Sequence, residues 1–155
     1  MQTISSIIKQ LTTYYPQLRF KSSDTFRWDP STKTIHYTDL GSDSSCLLLH
    51  EAGHALLEHN KYSRDIELIA MERDAWQYAK VELARELSLT IPAKIVEDSL
   101  DTYRDWLHAR STCPTCSATG IQIQDFKYQC VVCQSIWTVN QAAGCQLRRY
   151  LKKHS

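Results

Sequence analysis

Cys46-Leu47-Leu48-Leu49-His50-Glu51-Ala52-Gly53-His54-Ala55-Leu56-Leu57 is the stretch on which the reading of this chain turns. It is rich in helix formers, and its apolar side chains cover nearly the whole circumference, as in a buried helix. Ser42 and Asp43 just ahead of it are N-cap candidates. Residues four apart on a helix stand one above the other, so His50 and His54 share a face and can share a metal ion. Glu51 points about a quarter-turn away, where it can reach a metal-bound water without itself being a ligand. Two neutral nitrogen ligands, an open position and a nearby base are what a zinc hydrolase needs. The bland alternative is a buried helix with two hydrogen-bonded histidines and an incidental glutamate. Three ionisable groups among leucines would be costly without a partner, which favours the metal. Gly53 lets another backbone or a substrate pass close to the metal face.

A third ligand has to come from elsewhere. Metzincins use a histidine six residues after the second, with a glycine between; here His59 is offset by five and the glycine is missing. His59 is therefore expected at the polar end of the helix, beside Glu58 and Asn60. Arg64 to Leu87 has no Pro or Gly and reads as one long helix. Along it Leu68, Glu72, Ala75, Ala79 and Leu83 share one stripe, and Glu72 is the only charged member. A carboxylate there must be protonated, salt-bridged to an arginine or metal-bound. Ala75 and Ala79 would let this helix approach the histidine helix. Asp74 and Glu67 are the other candidates, on more polar faces.

His50-Glu51-Ala52-Gly53-His54-Ala55-Leu56-Leu57 followed by Glu72-Arg73-Asp74-Ala75-Trp76 resembles the gluzincin metallopeptidases, above all the minigluzincins and ImmA/IrrE-like proteases. The resemblance covers roughly residues 20 to 90. It implies zinc on His50, His54 and Glu72, with Glu51 as general base and acid. Thermolysin-type members carry an Asp four residues after the ligand Glu, bonded to the first His; here that position is Trp76. The partner of His50 must then be another residue, a backbone carbonyl or water.

Around this centre, Thr3 to Tyr15 reads as an amphipathic packing helix with Ile4, Ile7, Ile8 and Leu11 at helical spacing. Leu18 to Trp28 and Lys33 to Tyr37 flank the turn-like Asp29-Pro30-Ser31-Thr32, the pattern of a β-hairpin. In the zincin architecture a strand just before the metal helix forms the edge of a small sheet, to which substrate adds as an extra strand. Lys33 to Tyr37 is the expected edge. Pro92 suits the first turn of a further helix running to about Ala109. Tyr103 and His108 on it are open to a packing role or to one in the cleft.

From Ser111 the composition changes. Cys113-Pro114-Thr115-Cys116 and Cys130-Val131-Val132-Cys133 are joined by the hairpin-like Ile121 to Tyr128. Two such knuckles look like a zinc ribbon, with four thiolates in a closed site that makes its zinc structural. Redox dithiols are the competing reading, but no thioredoxin-like βαβ pattern surrounds them. Cys46 and Cys145 are left over as a buried thiol and an incidental one.

Charge divides the same way. Residues 1–110 hold 13 Lys/Arg against 16 Asp/Glu, and residues 111–155 hold 5 against the single Asp125. The excess sits in Arg148, Arg149, Lys152 and Lys153, on a possible C-terminal helix. It is either a solvated face or a contact for nucleic acid or an acidic protein. The chain has 155 residues, 43% of them hydrophobic, enough for a core. No apolar run is long enough for a bilayer and no signal pattern opens the chain. The paired cysteines point to a reducing compartment, so the expectation is a cytoplasmic protein.

The expected fold is α+β: a zincin-like domain over 1–110, with a hairpin or small sheet beside the histidine and Glu72 helices, then a zinc ribbon with a basic tail over 111–155. The expected function is a zinc endopeptidase with two zinc ions, one catalytic and one structural, acting on a peptide or protein. The alternative is a silent or latent zincin scaffold whose ribbon binds nucleic acid or a protein.

Overall fold

The computed structural model describes residues 2–140 and the backbone of 149–151. The chain divides into two compact units, Met1–Lys61 with Ala70–Val96, and Tyr62–Ile69 with Glu97–Ser155. Secondary structure is mixed α+β, and among the described residues no helix is long and apolar enough to cross a membrane.

The first unit opens with α1 (Ile4–Tyr14), capped by Thr3, whose Oγ1 accepts the Ser6 N–H at 3.1 Å. Its buried stripe is Ile4, Ile7 and Leu11, and it stops at Tyr15, which precedes Pro16 and is pushed out of the helical region. Three short strands follow, β1 (Arg19–Ser22), β2 (Arg27–Asp29) and β3 (Thr34–Tyr37). The β2–β3 hairpin is present, with Trp28 opposite Ile35. Asp29 Oδ1 shapes its turn by accepting from Ser31 N and Oγ at 2.9 and 2.6 Å.

β3 is not the edge expected from the sequence. The order is β1-β3-β2, with β1 parallel to β3, so β3 is paired on both sides. The fully buried Ile35 explains this, since the most apolar of the three strands takes the centre. Among the described residues, β1 and β2 are the edge strands of this sheet.

α2 (Ser44–Leu56) packs on β2 and β3 and carries the two histidines. Asp43 is its N-cap residue, but its side chain makes no capping bond; Ser44 Oγ instead bonds back to the Leu40 and Gly41 carbonyls. The helix from Arg64 to Leu87 is interrupted: α3 (Asp65–Tyr78) passes into a π-helical segment (Ala79–Leu83) and a last turn, α4 (Ala84–Glu86). Glu72, Ala75, Ala79 and Leu83 of the expected stripe are buried, and Leu68 is half-buried.

In the second unit α5 (Ala93–Ser111) leads to an antiparallel sheet of β4 (Gly120–Gln124), β5 (Lys127–Cys130), β6 (Ile136–Val139) and β7 (Arg149–Leu151). Trp137 and Tyr128 stack in its core, and a Cβ on Gly120 would run into the Trp137 ring. Asp65 and Arg110, both fully buried, pair at 2.9 Å. Tyr128 donates its hydroxyl to the same Asp65 oxygen at 2.5 Å, and Arg110 Nη1 donates to the Asn140 carbonyl. Arg149 lies in a strand rather than the expected helix, because pairing with Val139 covers the open edge of β6. Cys145, Arg148, Lys152, Lys153 and the Arg149 side chain lie outside the described residues.

Candidate functional site

Helical spacing places His50 above His54, and the close approach of α3 supplies Glu72. That approach depends on Gly53: a Cβ there would sit 2.5 Å from the Ala75 carbonyl oxygen, so only glycine lets the two backbones meet. The result is a buried cluster of three donors. His50 Nε2 is 2.8 Å from Glu72 Oε2, His54 Nε2 is 3.1 Å from Glu72 Oε1, and the two Nε2 atoms are 3.1 Å apart.

The two Nε2 atoms are within hydrogen-bonding distance of each other, but one acceptor of the cluster is left over. Glu72 Oε2 is buried and accepts no hydrogen bond of acceptable angle, although His50 Nε2 is so near. Burial alone would raise the Glu72 carboxyl, but the His50 and His54 imidazoles hold it down at about 2. Burial likewise lowers His54, and the adjoining Glu72 reverses the direction and raises it. Both shifts arise from the same contact between the Glu72 carboxylate and the imidazoles. With bonds near 2.0–2.1 Å, tetrahedral ligands to zinc lie about 3.3 Å apart. The observed spacings are close to that, so the donor set fits such an ion. Asp74 and Glu67, the other carboxylate candidates, are exposed and lie outside the cluster.

Glu51 stands beside the cluster, with Oε1 3.5 Å from His50 Nδ1. Its Oε2 accepts the backbone N–H of Trp28 at 2.8 Å, a bond sent from β2. Burial raises its pKa, and the neighbouring imidazoles oppose that only in part.

Two neighbours of the His50 and His54 rings, and a third residue behind them, were not evident from spacing. Trp76, at the position where thermolysin-type gluzincins carry an Asp, stacks on His50, centroids 4.2 Å apart and planes within 6°. His59 Nδ1 lies 2.9 Å from His54 Nδ1, and the Trp28 indole donates to the His59 carbonyl at 2.8 Å. His59 is thus more than the polar end of the helix. Burial, and then the nearby His54, lower its pKa.

The second cluster comprises Cys113, Cys116, Cys130 and Cys133, whose sulfurs lie within 4.8 Å of one another. Cys113 and Cys133 are 3.6 Å apart and Cys116 and Cys130 3.5 Å, all as free thiols. Tetrahedral zinc–thiolate bonds of 2.3 Å separate sulfurs by about 3.8 Å. Each C-x-x-C turns back on its first sulfur: Thr115 N–H points to Cys113 at 3.4 Å, and Val132 and Cys133 N–H to Cys130 at 3.3 and 3.4 Å. Burial opposes ionisation of Cys113, but the N–H groups of Cys116 and Thr115 bring it to about 6. The N–H groups of Cys133 and Val132 also lower Cys130. Thiolate is the metal-binding form.

Two groups of side chains could therefore hold a metal ion, one with three donors and an adjacent carboxylate, the other with four sulfurs. Comparison of the chain with protein-family models, curated proteins and solved structures found no match.

Proposed function

We propose that the chain is a zinc-dependent endopeptidase of the gluzincin type, with a zincin-like site on His50, His54 and Glu72 and a structural zinc in a C-terminal ribbon. One observation carries this reading: three potential metal donors within 3.1 Å of their neighbours, with a largely buried carboxylate held beside them by a strand amide.

When bound, zinc supplies Lewis acidity that polarises a carbonyl and makes a coordinated water acidic near neutrality. The remaining work falls to the chain. Trp28 N–H fixes Glu51 Oε2, leaving Oε1 to take a proton from the attacking water and pass it to the leaving amine. Burial raises the affinity of Glu51 for that proton, which suits a group that must accept and then release it. Trp76 and His59 hold the two imidazoles in place.

Glu51→Gln tests the reading. Zinc content should be unchanged, while cleavage of a quenched-fluorescence peptide library should fall by about 10²–10⁴-fold. Cleavage equal to that of the parent, or none by the zinc-loaded parent on any peptide, would overturn it.

A further inference from the structure

We propose that His59 and Trp28 are positioning residues that tie a ligating imidazole and the base into one frame, an inference that rests on the zinc reading above. The frame starts at the end of α2. The Glu58 N–H bonds to the Ala55 carbonyl and the His59 N–H to the His54 carbonyl, at 3.1 and 3.0 Å, the paired bonds of a Schellman turn. The residue at the turn must adopt the left-handed conformation and is ordinarily glycine. Here it is Glu58, with φ of 55°. This strained residue folds the chain back so that the His59 ring meets His54, 2.9 Å between Nδ1 atoms and 5.1 Å between centroids.

The proton arrangement follows from the neighbours. His54 Nε2 faces His50 Nε2 and Glu72 Oε1, both at 3.1 Å. With that lone pair given to a cation, the single ring proton of neutral His54 must sit on Nδ1. Two protonated nitrogens cannot face each other at 2.9 Å, so His59 Nδ1 is bare and accepts, and its own proton is on Nε2. His59 is in turn held by its carbonyl, which accepts the Trp28 indole N–H at 2.8 Å. The amide of the same tryptophan holds Glu51 at 2.8 Å. One residue of β2 therefore fixes the base directly and a ligating imidazole through His59. The histidine offset of five, one short of a third-ligand spacing, puts His59 beyond the helix end, where it reaches a ligating ring.

The test is zinc affinity at this site in the full chain, measured by chelator competition, alongside ¹⁵N-detected histidine tautomers. In the zinc-loaded parent, His54 should carry its proton on Nδ1 and His59 on Nε2. His59→Ala should weaken one of the two zinc sites by about 10–100-fold and leave the cysteine site unchanged. His59→Asn, whose Oδ1 can accept in place of Nδ1, should restore most of the loss. Trp28→Phe keeps the amide to Glu51 and removes the indole donor, so it should loosen the same zinc by less than His59→Ala. Unchanged affinity in His59→Ala, or a His59 proton on Nδ1 in the parent, would overturn the assignment while leaving the zinc reading intact. A parent that binds zinc only at the cysteines would overturn both.

Discussion

The two candidate metal centres differ in what brings their donors together. His50, His54 and Glu72 come from two helices and are all buried, whereas the cysteines come from two tight turns and alternate between buried and exposed. In the first, geometry depends on the helices meeting at Gly53 and Ala75. In the second it is local, each knuckle folding its own amides onto its first sulfur. The donor count differs as well. Four sulfurs would complete a tetrahedron around a zinc ion, whereas three donors would leave a fourth position free. A centre assembled by long-range packing can be tuned by its surroundings, and this one is flanked by Trp76, His59 and Trp28. A centre assembled by its own turns mainly holds a small fold together.

That contrast can be broken at several points. The largest expected effect on stability is in the unit that holds the cysteines. Asp65→Ala would strand the fully buried Arg110, whose Nη2 already has no hydrogen-bond partner among the described residues. Removing one partner of a buried pair costs about 3–5 kcal/mol. Denaturant unfolding should show a loss of that size, while the zinc stoichiometry of any protein that remains folded should not change. An effect under about 1 kcal/mol would mean the pair is better solvated than its burial indicates.

Gly53→Ala should act on the helical centre alone. The added methyl meets the Ala75 carbonyl, and relief requires the helices to part, at about 1–3 kcal/mol. The parting moves Glu72 off the histidines, so zinc affinity there should fall more than stability does. Equal zinc affinity in the variant and the parent would show that the helix contact does not set the ligand geometry.

Glu58→Gly should have the smallest effect, and in the opposite direction. It relieves about 1–2 kcal/mol of left-handed strain, against which the greater unfolded-chain entropy of glycine costs about 0.4–1 kcal/mol. A thermal melt should rise by a few degrees, within the range of about 2–8 °C per kcal/mol. A fall would show that the Glu58 side chain stabilises the turn in some further way.

The same contrast explains how far the sequence could be read. The histidine pair and the cysteine knuckles are legible because helical or turn spacing alone gathers residues a few positions apart. Glu72 is legible because it is the one charge in an apolar stripe, although which helix it would meet had to be inferred. His59 is not legible as a partner of His54, since its place depends on a Schellman turn at a residue other than glycine. Trp28 depends on how β2 docks against α2, and Trp76 marks a departure from the resembled family without revealing its stacking. The Asp65–Arg110 pair spans 45 positions with no local pattern to announce it. The edge strand was misplaced because alternation in a short segment identifies a strand but not its neighbours, and the parallel β1–β3 pairing is long-range.

Metal analysis of the purified full chain tests the central claim most directly. Two zinc ions per chain are expected. His50→Ala with His54→Ala should leave one, and Cys113→Ser with Cys130→Ser should remove the other or unfold the ribbon. One zinc in the intact chain, lost only with the cysteine changes, would contradict a metal centre on His50, His54 and Glu72.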